Sequence, residues 1–277
     1  MNGTSYLLAL DGSDESRSAA YFAWDLAAQS GCRVVAQHVV DSDGAWRFLD
    51  HDLAGFVGSG VYIEAIERIK EALTAIGEAI MLSYTSQILG RNLEYKTYID
   101  DGDPAREIAR RAKEHDLVIL GFHGRSRGSN QPRMFEELAK ICSSPILVLR
   151  KTGKPWTRMQ VCLTDEIADQ KAVSDIYKFG TLLGIRTDVY LDKSITEGSE
   201  SFTMGGWSPV FGVRSMKQGD MKEVIADAQG TTLLVVPSTA ASDPDINLRG
   251  FLEQSDRRAL LLWPTRSSVR KRRKLAS

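Results

Sequence analysis

The sequence predicts an α/β protein built from two tandem units, each a five-stranded, mostly parallel sheet with helices on both faces. Three observations predict it. Short apolar runs alternate with stretches of helical periodicity, the pattern of strand–helix–strand crossovers. Two of those runs, Leu117–Leu120 and Leu233–Val236, are uniformly apolar, as parallel strands covered on both faces must be. The chain also repeats itself. Residues 102–119 overlay 219–236 without a gap, an offset of 117, with six identities: Gly102/Gly219, Asp103/Asp220, Ile108/Ile225, Ala109/Ala226, Leu117/Leu234 and Val118/Val235.

The elements follow in order. Tyr6–Leu10 is the first strand and ends at Asp11-Gly12-Ser13, a turn that supplies a helix N-cap. The helix Glu15–Ser30 places Ala19, Ala23, Leu26 and Ala27 at helical spacing and stops at Gly31. Val34–Val40 is the second strand. Tyr62–Leu89 is a long helix closed by Gly90; the glycine-rich connection before it takes no assignment. Leu93–Ile99 is the third strand. Asp103-Pro104 opens the next helix as N-cap and first-turn proline, with Ile108, Ala109 and Ala112 on the buried stripe. Leu117–Leu120, a short helix near Phe135–Ile141 and the strand Ile146–Leu149 complete the first unit, residues 1–152.

A linker at 153–156 contains Gly153-Lys154-Pro155 and leads to the second unit, 157–265. There Val161–Thr164 and Asp165 mirror Leu7–Leu10 and Asp11, while Gly184 and Thr187–Leu191 mirror Gly31 and the second strand. Asp220 with Glu223 makes a capping-box pattern. The first unit has 53 residues between Val40 and Glu94, and the second has 17 between Asp192 and Val210, so the second copy has lost most of the long helix. Its segment SITEGSESFTMGGWSP reads as an irregular loop. The last strands, Ile146–Leu149 and Leu260–Trp263, are apolar edges that invite pairing. They are expected to meet within one chain about a pseudo-two-fold axis, and homodimerisation is a further use of such edges.

Composition narrows the function classes. With 43% hydrophobic and 26% charged residues, the chain has the balance of a folded protein. The net charge of −1 comes from 35 basic and 36 acidic residues, but six of the basic ones lie in 266–277, a segment without an acid. The rest has 29 against 36, a body of net −7 that lacks the positive face nucleic acid requires. The basic tail is expected to be disordered and to contact an anionic surface if it contacts anything. No apolar run approaches the ~20 residues of a membrane helix, and the amino terminus lacks a signal-peptide pattern. Cys32, Cys142 and Cys162 are too scattered for a disulfide framework or a zinc site, so reduced, buried thiols and a cytoplasmic location are expected.

In an open parallel sheet, ligands bind outside the carboxyl ends of the strands, near the switch in strand order. Asp11 follows the first strand there, and Gly121-Phe122-His123-Gly124-Arg125-Ser126-Arg127-Gly128-Ser129 follows the fourth. Glycines let backbone N–H groups approach a phosphate, and Ser and Arg add donors. The loop is neither a Walker A sequence nor a GxGxxG fingerprint, and on spacing alone a plain surface loop explains it equally well. His38 is expected in the core, His123 as a loop residue, and Trp24, Trp46 and Trp207 as packing groups. No Ser/His/Asp set, carboxylate pair or metal cluster is spaced for catalysis.

The order of parts resembles the universal stress protein family in tandem form. LLALDGSDES, QHVVD, VILGFHGRSRG and PILVL carry the resemblance, which covers nearly all of 4–150 and, more faintly, 157–264. It implies two Rossmann-like (adenine nucleotide alpha hydrolase-like) units. In nucleotide-binding members the aspartate after the first strand and a valine after the second hold the adenine, and a Gly-x2-Gly-x9-Gly-Ser/Thr loop wraps ribose and phosphates. Asp11 and Val39 or Val40 would then hold the base of ATP or another adenine nucleotide. Gly121 and Gly124 would be the first two glycines, with Arg125, Ser126, Gly128 and Ser129 near the phosphates. The sequence departs from the pattern after that. Past nine intervening residues Gly124 is followed by Met134-Phe135; anchoring on the last strand instead brings Pro132-Arg133 to the same place. At the offset of 117, Ser238 and Ala241 stand where Gly121 and Gly124 do, so the second unit keeps Asp165 but not the glycines. The resemblance implies a stress-response module that senses a nucleotide and works through protein interaction. An interaction scaffold without nucleotide is the alternative, and a nucleotide hydrolase or transferase assisted by His123 or an arginine is a third reading.

Overall fold

The computed structural model describes residues 5–42, 44, 59–122, 133–150, 156–167, 170–192, 215–218, 220–228 and 230–265. Trp46, His123, Trp207, the segment 194–209, the linker glycine and the basic tail, all singled out above, lie outside the described residues. The strands are β1 (Ser5–Ala9), β2 (Arg33–Val40), β3 (Tyr95–Asp101), β4 (Leu117–Gly121), β5 (Ile146–Leu149), β6 (Arg158–Leu163), β7 (Arg186–Leu191), β8 (Ser215–Gln218), β9 (Thr232–Pro237) and β10 (Ala259–Trp263). The α-helices are α1 (Asp14–Ser30), α2 (Ser59–Ile88), α3 (Pro104–Ala112), α4 (Met134–Ile141), α5 (Gln170–Leu182), α6 (Met221–Asp227) and α7 (Leu248–Glu253). A 3-10 turn at Ser238–Ser242 follows β9.

The strands form one ten-stranded sheet in the order β3-β2-β1-β4-β5-β10-β9-β6-β7-β8. Every pairing is parallel except the central one. There β5 meets β10 antiparallel, with Ala259 opposite Leu149, Leu260 opposite Val148, Leu261 opposite Leu147 and Leu262 opposite Ile146. The two apolar end strands are thus paired with each other inside one chain, and the five strands on either side follow the same spatial plan.

Strand side chains alternate between two apolar clusters, one on each face. On the first face Tyr6, Leu8, Leu147 and Leu261 pack with Ala19, Ala23 and Trp24 of α1, Tyr84 and Ile88 of α2, and Ile176 and Phe179 of α5. On the second face Leu7, Val118, Val148 and Leu260 pack with Ile108 of α3, Phe135 and Leu138 of α4, Val224 of α6 and Phe251 of α7. Both clusters run through the β5–β10 seam. Trp156, at the end of the expected linker, is itself buried and lies 5.2 Å from the Phe22 ring of α1.

Local rules place the elements. Ser13 caps α1 by accepting from Ser16 N (3.1 Å), and Gly31 ends it at φ +69°. Gly184 takes the same left-handed conformation, φ +66°, after α5. Asp103 caps α3 through Arg106 N (2.9 Å). The third strand differs from expectation, running on through Asp100 and Asp101. As an edge strand, β3 is largely exposed, so hydrophobicity does not mark its end. The helices α5 and α7 had no assignment from periodicity, and α2 starts three residues early, at Ser59.

One close approach fixes a glycine. A Cβ at Gly121 would lie 2.8 Å from the backbone of Glu15 and Ser16, because the end of β4 rests on the first turn of α1. We expect Gly121→Ala to destabilise the protein by about 1–3 kcal/mol through overpacking, seen as a lower urea midpoint at unchanged slope.

A second prediction concerns alkaline pH. Trp24 Nε1 donates to Tyr84 Oη (3.1 Å) in the core, and burial pushes the Tyr84 phenol up to about 12. Its folded value lies above the unfolded one, near 10. Stability is therefore intact below about pH 10 and falls by about 1.4 kcal/mol per pH unit as pH rises toward 12, where only the unfolded chain ionises. Tyr84→Phe should remove that part of the slope in pH-dependent denaturation. At pH 7 it should cost about 1–3 kcal/mol by orphaning the indole N–H.

Candidate functional site

The carboxyl ends of β1, β2 and β4 enclose a cavity of about 250 Å³, at the switch in strand order. Its lining includes Asp11, Val39, Val40 and Gly121, four of the residues singled out from sequence. The other five, Gly124, Arg125, Ser126, Gly128 and Ser129, lie outside the described residues. The cavity also takes in Gln37, His38, Pro104, Ile108, Arg133 and Met134. A larger groove of about 430 Å³ between α1 and α2 shares Leu10, Ser16 and Ile76 with it. That groove lies over the helices rather than the strand ends, so the smaller cavity is the candidate site.

Capping chemistry positions Asp11. Ser13 donates to Asp11 Oδ1 from both its backbone N (2.9 Å) and its hydroxyl (2.6 Å), an Asx turn that leads directly into α1. The Ser16 hydroxyl donates to Ser13 O (3.0 Å). Both hydroxyls beside the aspartate are therefore engaged in building the helix start.

The β2 side is fixed by backbone and side chain together. Leu10 N donates to Gln37 O (2.8 Å) and Gly102 N donates to Val40 O (3.0 Å), which draws the Gly102-Asp103-Pro104 turn over the cavity. Gly102 sits at φ +132°, a conformation that favours glycine. His38 was expected in the core, yet it is half-buried and lines the cavity. Its Nδ1 is 2.7 Å from Leu10 O, and a carbonyl only accepts, so that nitrogen carries the hydrogen. The ring packs against Gly77 of α2, where a Cβ would come within 2.6 Å of it.

Gln37 is almost fully buried. Its Nε2 donates to Asp100 Oδ2 (2.7 Å), and Asp100 also receives Arg111 Nη2 (2.8 Å). Gln37 Oε1 is left buried without a hydrogen-bond partner. Such an atom costs about 1–3 kcal/mol unless a donor reaches it. Farther along, at the end of β3, the Lys70 ammonium and then the Ser42 hydroxyl hold the Asp101 carboxyl below the usual carboxylate range.

The remaining wall is the start of α4. Arg133 N donates to Glu136 Oε2 (2.8 Å), the glutamate half of a capping box, and the Arg133 guanidinium lies 5.4 Å from the Phe122 ring centre. The wall thus combines apolar groups, one cation, two aspartates (Asp11 and Asp41) each accepting from the turn that follows it, and one buried acceptor. That set suits a small polar ligand with an apolar, planar part. Sequence reasoning found Asp11 through its position at the end of the first strand, and Val39 and Val40 through the family resemblance. It missed Gln37, Pro104 and Met134 as cavity residues: Gln37 lines it from β2, and Pro104 and Met134 reach it through the packing of α3 and α4.

The corresponding place in the other half is built differently. Asp165 is exposed, whereas Asp11 is half-buried. Thr239, in the 3-10 turn after β9, hydrogen-bonds Glu166, so side chains bridge the ends of β6 and β9. Ser238, which aligns with Gly121, is buried. Cys32, Cys142 and Cys162 are buried thiols far from one another in sequence, and burial pushes the Cys162 thiol up. No helix among the described residues is long and apolar enough to cross a membrane.

No curated protein sequence matches this chain significantly. Among solved structures it is similar to a universal stress protein from Archaeoglobus fulgidus DSM 4304, with TM-score 0.67 and 12% identity, covering 94% of this chain and 96% of that one. It is also similar to a functionally unknown protein from Pseudomonas aeruginosa PAO1, with TM-score 0.55 and 10% identity, covering 99% and 97%. At such identities the likeness is one of fold. A model of the universal stress protein family matches residues 5–150, from β1 through β5 and the whole candidate cavity. With more than half of its length matched, the chain belongs to the universal stress protein family.

Proposed function

We propose that this protein binds an adenine nucleotide, ATP or AMP, in the cavity at the ends of β1, β2 and β4. On this reading it is a cytoplasmic stress-response module that senses the nucleotide and acts through protein interaction rather than turnover. The observation that carries the reading is the convergence of Asp11, Val39, Val40 and Gly121 on one cavity in a universal stress protein. The apolar wall suits a base, and the buried, partnerless Gln37 Oε1 would accept from an amino group. Arg133 offers a cation to phosphates, and Gly124, Arg125, Ser126, Gly128 and Ser129 would supply the remaining donors. Residues 1–152 and 157–265 act as tandem units on this reading, the second one a degenerate partner whose crevice is bridged by Glu166 and Thr239.

A scaffold that binds no nucleotide is the second reading, and two observations favour it. Gly121 is already required by the contact with α1, with no ligand involved. Met134-Phe135, at the place of the family's Gly-Ser, belongs to α4.

The two readings separate in one experiment. The purified protein is denatured, any released nucleotide is identified by mass spectrometry, and ATP and AMP are titrated by calorimetry. The nucleotide reading expects bound adenine nucleotide or a measurable heat. It further expects Asp11→Ala to weaken binding at least about tenfold, the loss of one hydrogen bond to a charged group, with Asp165→Ala unchanged. Absence of both nucleotide and heat establishes the scaffold instead.

A further inference from the structure

Among the described residues, Glu136 makes the closest ion pair between the two halves of the sheet. Its Oε2 accepts from Arg133 N (2.8 Å) and so caps the first turn of α4. The same carboxylate is forked by Arg249 of α7, Nε to Oε1 at 2.5 Å and Nη2 to Oε2 at 2.6 Å. The two side chains are 29% and 15% exposed, so this is a largely buried, bidentate pair rather than a solvated surface contact. Arg133 and Met134, at the start of the capped turn, line the candidate cavity.

Two neighbouring contacts reinforce the arrangement. The 3-10 turn Ser238–Ser242 packs on α4, so the segment after β9 braces the wall of the other half. Arg150 Nη2 pairs with Asp256 (2.6 Å), and both Arg150 and Arg133 place their guanidinium groups near the Phe122 ring, at 5.2 and 5.4 Å.

We infer that Arg249 is a positioning residue for the candidate cavity, holding Glu136 and through it the first turn of α4 that forms one wall. The inference rests on that cavity being the ligand site. Two physical effects give Arg249 this role. Its planar fork fixes both carboxylate oxygens, so Glu136 keeps the rotamer that caps Arg133 N. It also neutralises an acid one turn from the wall, which would otherwise repel an anionic ligand across a partly desolvated path. The half without a glycine loop thereby contributes to the cavity of the half that has one.

The test uses the full-length chain with Arg249→Ala, Arg249→Lys, Glu136→Gln and the Arg249→Ala/Glu136→Gln double variant. Amide exchange, followed residue by residue by NMR without ligand, should quicken about tenfold at Arg133, Glu136 and Glu137 in Arg249→Ala. The amides of β1, β4 and β9 should be unchanged. AMP affinity, by calorimetry, should fall about five- to tenfold in Arg249→Ala and less in Arg249→Lys. Adding Arg249→Ala to Glu136→Gln should change little further, because Arg249 acts through that carboxylate. Unchanged exchange at the start of α4, equal quickening across the whole sheet, or additive effects in the double variant would each overturn the inference. If the wild-type chain binds neither AMP nor ATP, the nucleotide reading fails, and the exchange data still decide whether Arg249 sets the wall.

Discussion

Strands β5 and β10 contain no polar side chain, and each would be an exposed apolar edge if its half of the sheet stood alone. Their antiparallel pairing satisfies the backbone groups of both edges and buries Leu260, Leu261 and Leu262 almost completely. A fully buried leucine contributes on the order of 1.5–3 kcal/mol, so the seam stabilises both halves at once. The remaining architecture depends on this pairing. Because the two five-stranded runs share one sheet, each apolar cluster continues from one half into the other, and helices on the same face meet across the seam.

The seam also explains why the two halves can diverge at their strand ends. Core positions are held by packing on both faces, while the carboxyl ends of the strands are held by turns and caps that tolerate replacement. In the first half, Gly121 lets β4 end against α1 and leaves an open cavity beside Asp11. In the second, Ser238 and Thr239 wind into a 3-10 turn and a hydrogen bond to Glu166 spans the crevice. The same turn packs on α4. One half keeps a cavity and the other uses the equivalent segment as a brace.

Much of the fold was legible because its signals are local. Asp11-Gly12-Ser13, Gly31, Asp103-Pro104 and Gly184 mark the ends of helices through capping and backbone conformation, and these depend on a few adjacent residues. Leu117–Leu120 and Leu233–Val236 read as central strands because burial on both faces leaves no polar position. The end of β3 was less legible, since Asp101 is exposed at the sheet edge and Asp100 is held there by Gln37 and Arg111, contacts that no local pattern encodes. At the site, Asp11 was legible from its position at a strand end, and Val39 and Val40 from the resemblance to the universal stress protein pattern. Gln37, His38 and Met134 were not, because nothing in their sequence neighbourhood distinguishes a cavity wall from a core.

By itself the sequence determined the alternation of strands and helices, the repeat, the caps and the apolar character of both end strands, all consequences of side-chain chemistry within about one turn or one strand. Tertiary structure decided what no local pattern encodes. It set the pairing of β5 with β10, the contact of Gly121 with α1, the orphaned oxygen of Gln37 and the fork between Arg249 and Glu136. Each of these joins residues distant in the chain, and their geometry exists only once both faces of the sheet have been packed.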